Sequence, residues 1–247
     1  MHFRVVVPAR FASTRLPGKP LLDIQGHPMI WHTWRRAMES DAGEVVVATD
    51  DQRIADAADA FGATVCMTSP DHESGTDRIA EVVRRLEWED DDIVVNLQGD
   101  EPLMPPQLLN QVAGALSTQP DASLSTLAVP LDADQVFDSN AVKVVTDQHG
   151  MALYFSRAPI PWKRGVFENS MQDSSGMLRH LGIYAYRVGF LKRYVDWKPA
   201  PIEVQESLEQ LRVLWAGERI AVEVAEQAPP PGIDSPADYE RLLAHLG

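Results

Sequence analysis

The first half of the chain alternates short apolar runs with amphipathic segments, which is the pattern of strands and helices in turn. Apolar runs predict buried strands at residues 3–8, 44–49, 63–67 and 92–98. Apolar residues at helical spacing predict helices at residues 28–39, 51–61, 74–88 and 106–116. The alternation indicates an α/β fold with a doubly wound, mostly parallel sheet, which would hold its ligands beyond the carboxyl ends of its strands.

The second half adds antiparallel features. Segments 141–146 and 151–156 flank a turn-rich tetrapeptide and predict a β-hairpin. We expect a strand at 181–187, a loop at 165–177, a strand at 220–224 and a closing helix at 236–246. A helix that begins at Pro201 is expected to share one apolar face among Val204, Leu208, Leu211 and Trp215. No repeat or linker divides the sequence, so we expect one domain over 1–247 with an added β layer.

Composition narrows the class of protein. The 247 residues suffice for a core, and 22 basic against 36 acidic residues give a net charge of −14. This charge repels nucleic acid and anionic membranes, so we expect neither as a partner. No apolar run approaches the roughly 20 residues of a membrane span, and residues 1–7 make a poor signal peptide. The lone Cys66 cannot form an internal disulfide, which favours a cytoplasmic protein.

Residues 1–40 reverse the overall charge, with six basic and two acidic residues. The loop at residues 8–20 follows the first predicted strand and carries Arg10, Arg15 and Lys19 among small residues. Cations and backbone N–H groups together suit a phosphate-rich ligand, although a solvated basic loop is the alternative. The loop has neither G-x-x-x-x-G-K-[ST] nor G-x-G-x-x-G, so neither ordinary P-loop chemistry nor dinucleotide binding is supported.

Two acidic residues follow predicted strands and are candidate metal ligands. Asp100, preceded by Gly99, offers a hard oxygen ligand to Mg²⁺, unless Gly-Asp only shapes a turn. Asp234 is a candidate for a second ligand, but the order Asp, Ser, Pro fits a helix start, and these residues alone favour a helix cap.

A further polar pair lies in the predicted strand at 181–187 and the residue just before it. His180 and Tyr184 are four residues apart in a strand-like run, so they project from the same face. A lone histidine is usually structural. No Cys/His spacing suggests zinc, and no G-x-S-x-G motif supports a hydrolase nucleophile.

Taken together, these segments resemble the 3-deoxy-manno-octulosonate (Kdo) cytidylyltransferases. The resemblance rests, in chain order, on residues 8–20, 47–50, 74–78, 96–102, 141–145, 153–157, 180–184 and 208–212. The first motif alone indicates the wider sugar-nucleotidyltransferase group, whereas Leu-Tyr-Phe-Ser-Arg at 153–157 and Arg-His-Leu-Gly-Ile-Tyr at 179–184 are more specific. The segment 165–177 is the least similar to the family.

The resemblance implies a Rossmann-like nucleotidyltransferase fold and a cytoplasmic, Mg²⁺-dependent enzyme. Such an enzyme transfers CMP from CTP to the anomeric hydroxyl of Kdo, releasing pyrophosphate, for lipopolysaccharide biosynthesis. A homodimer is also implied, and residues 132–156 with their hairpin are the expected partner surface. The alternatives are an enzyme of the same fold that uses sialic acid or an amino-Kdo, and a non-catalytic nucleotide-binding sensor.

Individual roles also follow from the resemblance. CTP contacts are expected at Ala9, Arg10, Arg15, Lys19, Ser74, Gly75, Arg78, Gln98 and Asp100. Sugar-acid contacts are expected at Gln98, Arg157, His180, Tyr184, Glu209 and Gln210, with Arg157 the preferred partner of the carboxylate. The expected catalytic residues are Arg15, Lys19, Asp100 and Asp234. Asp100 and Asp234 would hold Mg²⁺, which changes Asp234 from a helix cap to a metal ligand. Glu209 and Gln210 have the alternative of merely meeting water on the helix surface.

Overall fold

The computed structural model describes residues 2–12, 16–72, 74–169 and 172–246. They form eleven strands: β1 Phe3–Ala9, β2 Asp23–Ile24, β3 His27–Pro28, β4 Glu44–Thr49, β5 Thr64–Met67, β6 Ile93–Asn96, β7 Leu124–Pro130, β8 Lys143–Thr146, β9 Ala152–Ser156, β10 Leu178–Arg187 and β11 Ile220–Val224. They also form eight α-helices: α1 Met29–Met38, α2 Gln52–Ala60, α3 Gly75–Arg85, α4 Pro106–Ser117, α5 Val188–Tyr194, α6 Pro201–Glu206, α7 Gln210–Trp215 and α8 Pro236–Leu246. Short 3₁₀ helices lie at Lys19–Leu21, Ala133–Gln135 and Phe167–Asn169.

Strand β1 is buried on both faces and lies at the centre of the core. Val5 and Val7 belong to an apolar cluster that includes residues of α1, α2 and α4. Val6, between them, belongs to a second cluster with residues of α3 and α5. Because successive side chains of a strand point to opposite faces, this apolar run packs against helices on both sides of the sheet.

The main sheet is parallel except at one strand. Its strands lie in the order β11-β7-β10-β6-β1-β4-β5. Neighbours β1 and β4, β1 and β6, β4 and β5, and β7 and β11 are parallel, whereas β10 is antiparallel to β6 and β7. This arrangement confirms the predicted doubly wound, mostly parallel α/β sheet. The carboxyl ends of β1, β4, β5 and β6 therefore meet at one edge, where such sheets bind ligands.

The antiparallel ribbon β8–β9 is the hairpin that the sequence predicts. Lys143 pairs with Ser156, and the pairing continues towards the turn. Val144 of β8 also pairs with Leu178 at the start of β10, off the main path of the sheet. The ribbon is thus the added β part of the fold, attached to the sheet through β10.

Strand β7 is absent from the predicted elements because its polar residues interrupt the apolar pattern. Ser125 and Thr126 are nevertheless fully buried. The Ser125 hydroxyl donates to the carbonyl of Val112, at 2.6 Å, and the Thr126 hydroxyl lies 2.7 Å from the carbonyl oxygen of Ile183. Both hydroxyls therefore find acceptors inside the sheet, which makes polar residues acceptable in a buried strand.

The prediction of one helix with a shared apolar face after Pro201 is wrong. Helix α6 ends at Glu206, Ser207 adopts a left-handed conformation with φ of 51°, and α7 begins only at Gln210. The break rotates the two parts, so Leu208 and Leu211 are buried while Val204 and Trp215 are 67% and 61% exposed. Within the described ranges, no helix is both long and apolar enough to cross a bilayer.

Candidate active site

The loop that follows β6 lies directly against the end of β1. The N–H of Gly99 donates to the carbonyl of Pro8 at 3.3 Å. A Cβ atom at position 99 would lie 2.9 Å from that carbonyl oxygen, which is closer than such atoms approach, so only glycine fits. This close approach brings Asp100 to the loop after β1.

Lys19 joins three segments that are distant in the sequence. Gly18, with φ of 70°, precedes the 3₁₀ turn that begins at Lys19. The Nζ of Lys19 donates to Oδ2 of Asp100 at 2.6 Å, to the carbonyl of Ile233 at 2.9 Å and to Oδ1 of Asp234 at 3.3 Å. One ammonium group therefore holds two of the predicted catalytic carboxylates at the same point.

Ser235, and not Asp234, caps α8. The helix begins at Pro236, so Ser235 occupies its N-cap position. The N–H of Asp238 donates to the Ser235 hydroxyl at 3.3 Å, and the N–H of Ser235 donates to Oδ2 of Asp238 at 2.8 Å, which is a reciprocal capping box. The helix-cap interpretation of Asp234 is therefore wrong, and its carboxylate contacts Lys19 instead.

A cavity of about 380 Å³ opens beside Lys19, and we call it the loop cavity. Its lining includes Asp234 together with every predicted CTP contact that is described: Ala9, Arg10, Lys19, Ser74, Gly75, Arg78, Gln98 and Asp100. Arg15, a predicted CTP contact and catalytic residue, lies outside the described residues. The sequence-based set is thus brought to one place by the ends of β1 and β6 and the start of α3.

The start of α3 forms one wall of the loop cavity. Ser74 and Asp77 make a capping box: the Ser74 hydroxyl accepts from the Asp77 N–H, and the Asp77 side chain accepts from the Ser74 N–H. A Cβ atom at position 75 would lie 3.3 Å from Nε2 of Gln98, so any larger residue there would crowd the Gln98 side chain. The helix N-terminus favours a negative ligand.

The two arginines of the loop cavity differ in their surroundings. Arg10 is exposed. Arg78 is 3% exposed, and its guanidinium donates to Oδ2 of Asp50, at 3.0 Å, and to the Thr68 hydroxyl. Arg78 therefore ties α3 to the ends of β4 and β5, whereas Arg10 keeps its charge at the surface of the cavity.

A second cavity of about 200 Å³ adjoins the first, and we call it the tyrosine cavity. It shares Gly75, Gln98 and Glu209 with the loop cavity. Its other lining residues include Thr76, Asn96, Tyr184, Tyr186, Tyr194 and Gln210. Burial raises the pKa of all three tyrosines, so their hydroxyls stay protonated at neutral pH.

Glu209 and Gln210 enter this cavity from the start of α7. Gln210 is 7% exposed, and its buried Nε2 has no hydrogen-bond partner among the described residues. For Gln210 the alternative of merely meeting water is therefore wrong. Desolvation, followed by the nearby Asp77 carboxylate, raises the pKa of Glu209, whose Oε2 lies 3.5 Å from the Thr76 hydroxyl.

His180 and Tyr184 lie on either side of an irregularity in β10, between Leu181 and Tyr184. Their ring centroids are 5.4 Å apart, and His180 Nε2 lies 3.0 Å from the Thr126 hydroxyl. Burial, then the cation of Arg179, lowers the pKa of His180 to about 3, so the ring is neutral at physiological pH. Tyr184 lines the tyrosine cavity, and His180 lines a third cavity that shares Gln98 and Asn96 with it.

Comparison with known proteins decides the family. A family model described as Cytidylyltransferase matches residues 4–220. The 3-deoxy-manno-octulosonate cytidylyltransferases of Vibrio vulnificus strains YJ016 and CMCP6 are each 55% identical to this chain over 242 residues, covering 97% of it and 96% of theirs. The chain belongs to the 3-deoxy-manno-octulosonate cytidylyltransferase family. The resemblance inferred from the motifs is confirmed.

Solved structures agree with this family assignment. The structure of CMP:2-keto-3-deoxy-manno-octonic acid synthetase complexed with CTP superposes with a TM-score of 0.89 at 42% identity, covering 99% of this chain and 98% of that one. A cytidylyltransferase from Leptospira borgpetersenii serovar Hardjo-bovis (strain JB197), 18% identical, has a TM-score of 0.63 and shares the fold, over 98% of this chain and 85% of that one. The predicted Rossmann-like nucleotidyltransferase fold is thereby confirmed.

Arg157 of this cytidylyltransferase does not line the loop or tyrosine cavity. Its Nε donates to the carbonyl of Glu206 at 2.7 Å, and its terminal nitrogens donate to the carbonyls of Ser139 and Ser207, at 2.9 and 3.4 Å. The structure therefore does not bring Arg157 to the other predicted sugar-acid contacts. Its role as the partner of a carboxylate stays a prediction.

Glu101 is a site residue of this cytidylyltransferase that sequence reasoning missed. Burial, with the carboxylates of Asp100 and Asp234, raises its pKa to about 8. A Cβ atom at Gly232 would lie 2.8 Å from Oε1 of Glu101, so any other residue there would require the Glu101 side chain to shift. The only local signal is its position next to Asp100, which does not reveal the packing.

The Asp100 and Asp234 carboxylates fit the protein part of a magnesium site, which substrate oxygens would complete. Among the described residues, no group of three or more His, Cys, Asp or Glu side chains is placed to hold a metal. Asp100 and Asp234 nevertheless both contact the Lys19 ammonium, so one cation reaches both. Mg²⁺ is usually held by one or two carboxylates, water and substrate phosphates, and these two residues offer the protein part of such a site.

Proposed function

We propose that this protein transfers CMP from CTP to the anomeric hydroxyl of Kdo and releases pyrophosphate, for lipopolysaccharide biosynthesis. The carrying observation is the pair of adjoining cavities that share Gln98 and Glu209. One has a cation between two carboxylates and suits a nucleoside triphosphate, and the other has buried polar groups that suit a polyhydroxylated acid. The family membership supports the same assignment.

The reaction joins the sugar oxygen to the α-phosphorus and breaks the bond between the α- and β-phosphates. It needs alignment and neutralisation of charge more than covalent help. Lys19 and Arg10 supply cations to the phosphates, and Arg15 is proposed to do the same. Ser74, Gly75 and Arg78 would lie near cytosine and ribose, where the start of α3 forms the wall.

Asp100 and Asp234 are the residues proposed to hold Mg²⁺. When bound there, the ion would neutralise phosphate charge and favour ionisation of the sugar hydroxyl. Lys19 contacts both carboxylates, so an ion held between them would displace its ammonium towards the phosphates. This displacement would present the positive charge to the triphosphate.

The tyrosine cavity is the proposed sugar-acid site. Gln98, Tyr184, Glu209 and Gln210 line it, and the unpartnered Nε2 of Gln210 is a donor that a sugar hydroxyl would satisfy. His180 is neutral and hydrogen-bonded to Thr126. We therefore propose that it contacts the sugar acid through a hydrogen bond at the edge of this site, and not through a positive charge.

A cytoplasmic homodimer is also part of the proposal. The segment 132–156 carries two exposed apolar side chains, with Phe137 46% and Leu153 60% exposed. Exposed apolar residues on the β8–β9 ribbon and just before it suit a partner copy. The two ribbons would then cover each other.

Release of pyrophosphate tests the reaction directly. The protein is incubated with CTP and Mg²⁺ together with Kdo, an amino analogue of Kdo or sialic acid. We expect release with Kdo. Turnover with sialic acid alone would assign a different acceptor, and tight CTP binding without release under any acid would favour a nucleotide sensor.

A further inference from the structure

The bend between α6 and α7 delivers two residues to the tyrosine cavity. Ser207 at this bend has φ of 51°, a left-handed conformation that is unfavourable for any residue but glycine, asparagine or aspartate. Glu209 and Gln210 follow immediately and line the cavity. The N–H groups of Ser207 and Leu208 donate to the Glu203 carbonyl, and the Arg212 guanidinium pairs with the Glu203 carboxylate across the bend. Serine does not favour this conformation, however, so further contacts add to its stability.

Glu206, the last residue of α6, contributes two side-chain contacts to the end of β9. Its Oε1 accepts from the Ser156 hydroxyl at 2.6 Å, and its Oε2 accepts from the backbone N–H of Arg157 at 3.0 Å. Ser156 is 2% exposed, so this carboxylate is bonded in a shielded place, where charge-assisted hydrogen bonds are strong.

Arg157 completes the connection in the opposite direction. Its guanidinium donates to the carbonyls of Glu206 and Ser207 at the bend, and to that of Ser139, four residues before β8. A cation at a helix C-terminus satisfies carbonyls that have no partner within the helix. Both the side chain and the backbone of Glu206 are therefore fixed to β9.

We propose that Glu206 is a positioning residue for the acceptor site, and that it acts by fixing the bend that presents Glu209 and Gln210. The proposal rests on the assignment of the tyrosine cavity to the sugar acid. Loss of the carboxylate would free the bend to relax, while the loop cavity, whose residues come mainly from the ends of β1 and β6 and the start of α3, would keep its shape.

The experiment compares Glu206→Ala and Glu206→Gln with Glu218→Ala as a matched control. Glu218 also accepts from a serine hydroxyl, that of Ser123, and from an arginine, Arg193, but it follows the C-terminal end of α7, whereas Glu206 precedes its start. The measurements are kcat and the KM for Kdo and for CTP, together with amide hydrogen exchange of residues 207–215.

We expect Glu206→Ala to raise the KM for Kdo by about tenfold or more, because small displacements of binding groups have large effects, and to leave the KM for CTP within about twofold. Glu206→Gln retains one acceptor oxygen and should restore part of the loss. Glu218→Ala should change neither KM. Exchange of residues 207–215 should be faster only in the Glu206 variants.

Equal increases in both KM values, or the same selective increase in Glu218→Ala, would overturn the proposal. If Glu206→Ala does not fold, Ser156→Ala removes a single one of the bonds, and an unchanged KM for Kdo with unchanged exchange would overturn it equally. Failure of the proposed function is separate: the wild-type protein would then release no pyrophosphate with Kdo, while the exchange of residues 207–215 would still report on the bend.

Discussion

The ammonium of Lys19 lies 2.6 Å from Oδ2 of Asp100 and reaches Oδ1 of Asp234 at 3.3 Å. The two carboxylates that contact this lysine are also the ones proposed to hold a metal. Lys19 and Mg²⁺ are then competitors for two carboxylates.

Lys19→Met tests this competition. The variant should bind Mg²⁺ more tightly without CTP, because two carboxylates close together repel unless a cation lies between them. Its kcat/KM for CTP should fall by about 100-fold, since the phosphates lose a positioned charge. Calorimetry with Mg²⁺ and pyrophosphate release measure the two effects. Arg35→Met removes an exposed charge on α1 and should change neither, and unaltered Mg²⁺ affinity in Lys19→Met would refute a shared site.

Asp234→Asn and Ser235→Ala separate metal binding from helix capping. Asp234→Asn should require more Mg²⁺ and lose most turnover, because it removes a charged ligand. Ser235→Ala should lower the free energy of unfolding by about 1 kcal/mol through loss of the cap, with an unchanged Mg²⁺ requirement. Mg²⁺ titration of turnover and urea unfolding give the two values. A normal requirement in Asp234→Asn would leave Asp100 to bind the metal without it.

Gly99→Ala should harm both stability and turnover. The added methyl group would meet the backbone oxygen of Pro8, which cannot move without shifting β1. We expect a loss of about 1–3 kcal/mol in the free energy of unfolding and a lower kcat/KM, since Asp100 follows directly. Gly182→Ala is the control, because a Cβ atom there meets nothing within 4 Å. Equal behaviour of the two variants would argue against the close approach.

The pH dependence of stability should depend on His180. Its pKa is lowered from 6.5 to about 3 in the folded protein, so below pH 6.5 the unfolded chain binds a proton that the native ring resists. Stability should therefore fall as the pH decreases from 6.5 towards 3, by up to about 1.4 kcal/mol per pH unit from this residue. Urea unfolding at pH 7, 5 and 4 should show a shallower decrease for His180→Gln. Parallel curves for variant and wild type would contradict the assignment.

Leu153→Asp should dissociate the proposed dimer. Wild-type protein should scatter light as twice the 27.4 kDa chain, and the variant as a single chain. Met38→Asp places the same charge at another exposed apolar position, on α1, and should remain a dimer. A wild-type mass of one chain at working concentration would reject the dimer itself.

The parts of the fold that could be predicted from sequence are those that local pattern determines. Three valines in β4 face both apolar layers, so their run predicts a buried strand, and the Ser74 capping box marks the start of α3. By contrast, Thr126 is a polar residue whose acceptors on β10 cannot be inferred from its neighbours in the sequence, so β7 could not be recognised. Ser207 interrupts a segment whose apolar spacing predicts a continuous helix.

The residues of the candidate site likewise include some that the sequence predicts and some that it does not. Lys19, Asp100 and Gln98 belong to motifs next to strand ends, so the sequence alone places them at the ligand edge of the sheet. Glu206 has no such signal, because its partners Ser156 and Arg157 lie about 50 residues earlier. Whether Asp234 or Ser235 caps α8 likewise depends on which of these two neighbouring side chains faces the helix, and the sequence does not show this.

The antiparallel strand β10 has a consequence for the order of folding. The strands β5-β4-β1-β6 come from the first 96 residues and are linked by short crossovers, so they can assemble early with mostly local contacts. Ala185 of β10 pairs with Val95 on one side and Ser125 on the other, and so joins this block to β7 and β11. Closing so long a loop is a late, entropically opposed event. A nascent chain would thus form the strands beside the proposed nucleotide site before it joins them to β7 and β11.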